Sequence, residues 1–162
     1  MQLVVVGMMG WSYESILPHF APWTERGQLH MLQDVPAPEL RVLYKHASAT
    51  VCPSFGEGFD FSGVEAMRCG GIVAASDIPV HREIYDGAAA YFSPYSADEL
   101  FQKLATLLAP SAEARRAELV TLGADVSSRY LPSAVMPQWE HFLNKTAGID
   151  LPSKNERNAG TI

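Results

Sequence analysis

A chain of 162 residues, 48% of them hydrophobic, has room for one well-buried domain and too little for two large ones. Its 12 basic against 18 acidic residues leave a net charge of −6, which argues against a nucleic-acid backbone binder and an anionic-membrane patch, since both gather Lys and Arg. Two cysteines, Cys52 and Cys69, make no disulfide framework, no CxxC, His–Cys or HExxH arrangement suggests a metal, and a reduced, cytoplasmic setting is expected.

The start, "MQLVVVGMMGW", carries an apolar run too short for a membrane span and no basic segment before it, so no signal peptide is expected. Within it "LVVVG" (3–7) is a β-branched run of the kind buried on both faces of a parallel sheet. "SYESILPHFAPWTERG" has helical spacing, with Ser12 as its cap and Pro18 and Pro22 expected to break it into short pieces. "LHMLQDV" (29–35) is a second strand, and "PAPELRVLYKHA" opens a helix on prolines with Leu40, Leu43 and Tyr44 on one face. "ATVCPS" (49–54) is a third strand.

The stretch from Ser62 to Cys69 is helical, and "GIVAAS" (71–76) is a fourth strand. "VHREIYDG" (80–87) is a short helix closed by Gly87, and "AAYFSP" (89–94) is a fifth strand. "SADELFQKLATLLA" (96–109) is an amphipathic helix capped by Ser96, with Glu99 completing a capping box. Helices over about 112–129 and 133–146 follow, the second with Trp139 and Phe142 expected to cover the core. Trp11 and Tyr13 read as packing aromatics, and His81 as a surface or capping residue at a helix start. The domain is taken as 1–147, followed by a polar tail, 148–162.

Strand–helix alternation over this length predicts an α/β class: a Rossmann-like three-layer sandwich with a mainly parallel sheet. Such sheets bind ligands at the carboxyl ends of their strands, where loops lead into helix N-termini. "PSFGEGFDFSGVEAMRCGG" (53–71) follows the third strand directly. Gly56 and Gly58 let the backbone approach a ligand or take positive φ. Ser62-Gly-Val-Glu65 reads as a capping box, leaving Glu57 over the helix mouth. A carboxylate accepts from vicinal hydroxyls such as those of a hexose or ribose, and exposed amides suit phosphate, so together they describe a nucleotide-sugar. The structural alternative fits the same spacing: Glu65 caps its helix, and Glu57 and Asp60 favour the positive end of its dipole.

The longer stretch "PSFGEGFDFSGVEAMRCGGIVAASDIPVHRE" resembles the donor-binding segment of the family 4 retaining glycosyltransferases of GT-B fold. That family includes sucrose synthases and many bacterial mannosyltransferases. Its motif, Glu, seven residues, Glu, is matched in register by Pro53, Ser54, Glu57, Gly58, Phe59, Glu65, Ala66, Met67, Gly70, Val73, Ala75 and Ser76. The resemblance covers roughly residues 3 to 109. "EGFDFSGVEAM" and "SDIPVHRE" are further similar to O-antigen mannosyltransferases that use GDP-mannose.

The resemblance implies that Glu57 is catalytic, facing the donor sugar and supporting the charge that develops in transfer. It places Glu65 on the nucleotide ribose, and the amides of Gly58, Phe59 and Asp60 on the sugar or its phosphate. It implies a nucleotide-sugar substrate with GDP-mannose favoured, no other cofactor and no metal. Three positions depart from the family, which usually carries Gly at Asp60, often Pro at Ser62, and Pro at Ile72; Asp60 is thereby marked as a candidate specificity residue. The family's acceptor-binding N-terminal half, and the first strand of the C-terminal half with its diphosphate-clamping Arg and Lys, have no counterpart here. Arg68 and Arg82 lie near the motif and read as surface ion-pairing residues. The expected partners are thus a nucleotide-sugar and an acceptor-binding half, or another chain that completes the sheet. Two other functions stay open: a catalytically inactive nucleotide-sugar-binding or scaffold fragment, and a nucleotide-sugar epimerase-like GT-B protein. A cytoplasmic location is implied, peripheral to the inner face of the membrane through the other half.

Overall fold

The computed structural model describes residues 1–10 and 12–148; Trp11 and the tail from 149 on lie outside the described residues. The chain forms two compact units, Met1–Leu43 and the residues from Tyr44 on. The alternation of strands and helices is as the sequence predicts. It is realised as two parallel sheets instead of one.

In the first unit β1 (Leu3–Val6) lies parallel to β2 (Leu29–Leu32), with Leu3 opposite Leu29 and Val6 opposite Leu32. A 3-10 turn (Tyr13–Ser15) and α1 (Leu17–Glu25) connect them. Three expectations are corrected here. The β1 side chains are not buried on both faces, since Leu3 is 51% exposed and Val6 40%; a two-stranded ribbon cannot cover its own faces. Ser12 sits at φ +58 and its side chain caps nothing. Pro22 lies inside α1 without ending it: the ring removes only the one bond its N–H would have donated, back to the first turn. The helix α2 (Ala37–His46) runs across the division between the units, with Leu40, Leu43 and Tyr44 half-buried as its spacing predicts.

The second unit holds β3 (Thr50–Cys52), α3 (Phe61–Arg68), β4 (Val73–Ser76), α4 (Pro79–Tyr85) and β5 (Ala89–Phe92). It continues through α5 (Ala97–Leu108), α6 (Glu113–Ser128) and α7 (Pro132–Ala147). Its sheet has the order β3–β4–β5, all parallel, with β4 central and buried along its whole length. Among the described residues β3 pairs with β4 alone, so one of its edges carries no strand.

The core gathers Cys52, Val64, Met67, Val73, Ala75, Ile84, Tyr85 and Val126. α3 closes on Gly70, at φ +79, and the Gly71 amide returns to the Ala66 carbonyl at 2.8 Å, a left-handed C-terminal turn that favours glycine. α4 is closed by Asp86 at φ +50, not by Gly87; the Tyr91 hydroxyl holds that turn by donating to the Asp86 carbonyl at 2.7 Å.

The Ser96 hydroxyl caps α5 as predicted, accepting from the Glu99 amide at 3.1 Å, but the Ser96 amide donates to the Ser93 carbonyl and not to the Glu99 side chain, so the expected capping box is only half formed. Because this cap is exposed, Ser96→Ala is expected to cost about 1 kcal/mol, read as a fall of a few degrees in the thermal midpoint. On α7, Trp139 and Phe142 are 55% and 57% exposed and meet edge to face, so they do not cover the core. No helix among the described residues is long and apolar enough to cross a membrane.

Candidate functional site

The segment from Pro53 to Asp60 leaves the carboxyl end of β3 and leads into α3. Glu57 is exposed on it, anchored by the Ser54 hydroxyl, which donates to Glu57 Oε1 at 2.6 Å. Gly56 and Gly58 do not take positive φ, and a Cβ at either would stand in open space. Of the two uses the sequence allows them, only an open approach is left. Phe59 is half-buried, edge-on to Tyr130 at 5.0 Å and tilted against the exposed Phe61 at 4.7 Å. Among the described residues the amides of Gly58, Phe59 and Asp60 donate to no protein acceptor.

Asp60 overturns the predicted capping box. The helix begins at Phe61, and Asp60 is its N-cap, with Oδ1 accepting from the Ser62 amide at 2.9 Å and the Gly63 amide at 3.3 Å. An Asp one residue outside the helix reaches the amides two and three residues on, so Ser62 is a donor into the cap and not the cap itself. Two amides expected to face a ligand are thereby satisfied within the chain. Glu65 is released from capping and stands exposed on α3. Asp60 itself is 8% exposed, turned inward.

Burial alone would raise the Asp60 carboxyl. The polar groups gathered around it, the Tyr85 hydroxyl, the Cys52 thiol, the Gly63 amide and His81, outweigh burial and hold it below the usual carboxylate range. The same burial, with Asp60 beside them, pushes the Cys52 thiol and the Tyr85 hydroxyl well up, so both stay protonated. Burial and then the Glu65 charge push up the hydroxyl of Tyr44, which packs against this core.

Sequence reasoning missed the group beneath the loop. His81 is fully buried, not a surface residue. Its Nδ1 lies 2.9 Å from the Ser76 carbonyl and 3.1 Å from Ser76 Oγ, while Ser76 Oγ donates to the Ser54 carbonyl at 2.5 Å. The available signal was that "SDIPVHRE" puts a histidine one turn after a strand's end, where a ring can turn back under that strand. Phe55 and Tyr95, from the loops after β3 and β5, are 67% and 85% exposed with centroids 5.3 Å apart. Arg82 is an ion-pairing residue as expected, forking onto both Asp77 oxygens at 2.7 Å and lying 3.7 Å over the Tyr91 ring. Arg68 is exposed at the end of α3. No cluster of three or more His, Cys, Asp or Glu able to hold a metal occurs among the described residues.

Comparison with solved structures shows the same fold in sucrose-phosphate synthase from Thermosynechococcus elongatus. It has a TM-score of 0.79 and 22% identity, covering 91% of this chain and 39% of that one. Anabaena Alr3699/HepE, solved in complex with UDP-glucose, aligns with a TM-score of 0.75 and 18% identity over 89% of this chain and 41% of its own. Both likenesses are of fold, a parallel α/β architecture of the Rossmann-like, GT-B type.

Among relatives in sequence, the O-antigen chain mannosyltransferase RfbU of Salmonella typhimurium is 39% identical over 69 residues. The match takes in 43% of this chain and 20% of RfbU. The GDP-mannose:cellobiosyl-diphosphopolyprenol alpha-mannosyltransferase of Komagataeibacter xylinus is 33% identical over 129 residues, 75% of this chain and 31% of its own. The chain therefore spans a fifth to a third of these relatives' lengths. Residues 1–110 match the family described as Glycosyl transferases group 1, and with the site at the carboxyl end of β3 built from that segment, the chain belongs to this glycosyltransferase family.

Proposed function

We propose that this chain is the donor-binding part of a retaining hexosyltransferase that moves mannose from GDP-mannose to a glycan or lipid-linked acceptor. The observation that carries the reading is two exposed carboxylates on the segment that follows β3: Glu57 in the loop, anchored through Ser54, and Glu65 on α3, freed from capping by Asp60. Glu57 faces the hexose hydroxyls and supports the positive charge that grows on the anomeric carbon. Glu65 accepts from the ribose hydroxyls. The amides of Gly58, Phe59 and Asp60 face the sugar or its phosphate, while the Asp60 carboxylate is kept away by its own cap.

In the transfer the anomeric carbon–phosphate oxygen bond breaks and a bond to the acceptor oxygen forms on the same face. The acceptor proton leaves with the diphosphate. The site's contribution is positioning and fixed charge, with no metal. GDP-mannose is favoured because it is named in the K. xylinus relative and mannose transfer in RfbU. The work is cytoplasmic, in partnership with an acceptor-binding segment, and a further strand from that segment pairs with the open edge of β3.

A nucleotide-sugar-binding module without turnover is the second reading. It is favoured by Arg82, which is committed to Asp77 and so does not neutralise a leaving diphosphate. Calorimetric titration with GDP, GDP-mannose, UDP and UDP-glucose tests the shared core of both readings. Saturable binding of GDP-mannose is expected, weakened about 10- to 100-fold by Glu65→Ala, as fits the loss of one or two charge-assisted hydrogen bonds. Absence of binding to all four at millimolar ligand overturns the donor reading, and turnover of GDP-mannose by the chain in the presence of acceptor separates the first reading from the second.

A further inference from the structure

The proton count around His81 is fixed by its neighbours. The Ser76 carbonyl can only accept, and the Ser76 hydroxyl already commits its proton to the Ser54 carbonyl; Nδ1 must therefore carry a hydrogen. The opposite nitrogen, Nε2, lies 3.3 Å from Asp60 Oδ2. Its alignment falls short of a hydrogen bond, so this buried nitrogen has no hydrogen-bond partner among the described residues and its contact with Asp60 is electrostatic. Nε2 and the Asp60 carboxylate thus face each other inside the core. Tyr85, stacked on the ring at 5.3 Å, seals it from solvent.

These contacts form a continuous path. Glu57 is held by Ser54, Ser54 by Ser76, Ser76 by the Nδ1 side of His81, and the Nε2 side of His81 meets Asp60, which caps α3. One ring thus touches groups that fix both ends of the segment 54–60. A histidine that merely filled the core would not need both nitrogens aimed at the two ends of one exposed loop.

We propose that His81 is a positioning residue for this loop: its ring ties the end of β4 to the Asp60 cap and so holds the segment that carries Glu57. The proposal rests on the reading of that segment as the donor site. It gives the buried Asp60 a task beyond capping, since the carboxylate is the far anchor of the loop.

Two variants separate the two ends of the ring. In His81→Asn the amide nitrogen takes the place of Nδ1 toward Ser76 and nothing reaches Asp60; in His81→Gln the amide takes the place of Nε2 and the Ser76 side is left. Backbone amide exchange is read on the unliganded chain, with thermal unfolding and GDP-mannose titration alongside. In His81→Asn the Ser62 and Gly63 amides are expected to exchange at least tenfold faster while those of β4 hold. GDP-mannose affinity falls about tenfold. In His81→Gln protection of Ser62 and Gly63 stays within about threefold of the parent.

Exchange unchanged in His81→Asn, or faster in β4 and the loop alike, overturns the proposal and leaves His81 a core residue. If His81→Asn does not fold, His81→Gln decides: Ser62 and Gly63 unprotected while the β4 strand stays protected overturns it, and protection retained supports it. Failure of the parent chain to bind GDP-mannose overturns the donor reading alone, because the exchange result needs no ligand.

Discussion

Gly63→Ala is expected to destabilise the second unit by about 3 kcal/mol, at the upper end of overpacking effects, and to do so although alanine is the better helix former by about 1 kcal/mol. A Cβ at Gly63 would overlap the Tyr85 hydroxyl and stand 2.5 Å from its Cζ and 3.0 Å from Cε1. Tyr85 cannot swing away: it is fully buried, stacked on His81, and its hydroxyl donates to the Asp60 carbonyl at 3.3 Å. The first turn of α3 would have to lift instead, carrying the Asp60 cap with it.

Urea unfolding measures the effect, and a midpoint within experimental error of the parent would show that the ring has room to move. The double variant Gly63→Ala/Tyr85→Phe removes the overlapping oxygen. It is expected to recover part of the loss, giving a coupling between the two sites that independent substitutions do not show.

How much of this was legible in the sequence depends on the range of each interaction. Local devices read well. Ser96 followed by Glu99 announces a cap because both groups lie within one turn, and short apolar runs between turn residues located all five strands. The loop after β3 was found because its glycines and carboxylates sit close together in the chain. What failed was the choice between two cap candidates: Asp60 and Ser62 both precede the helix, and only the position of the first helical residue decides which one accepts.

The burial of β1 was misjudged because periodicity reports what a strand could pack against, not how many strands its sheet contains. His81 was beyond reach for another reason. Its partners Ser76 and Asp60 are 5 and 21 residues away and meet it only once β3 and β4 are side by side. The local signal, a histidine one turn after a strand's end, does not say which groups its ring will meet.

Asp60→Ala is expected to cost about 3 kcal/mol, more than an exposed cap of the same type, because two losses combine. The helix loses the acceptor of its Ser62 and Gly63 amides, worth about 1 kcal/mol; and the buried His81 Nε2 loses the carboxylate that faces it at 3.3 Å, which leaves a buried polar group with nothing opposite. Asp60→Asn distinguishes these, since Asn is as good a cap and carries no charge.

The acid limb of stability carries the sign. The folded Asp60 carboxyl titrates below its ordinary value of about 3.9, so the ionised group adds stability that is fully present above that value and is lost as the pH falls through the lowered one. The parent should therefore lose stability more steeply below about pH 4 than Asp60→Asn does, while the two differ by a constant amount from pH 5 to 7. Equal acid limbs in thermal melts would mean that hydrogen bonds alone, and not the charge facing His81, hold the cap. The loop before α3 would then be fixed by geometry that any neutral acceptor supplies.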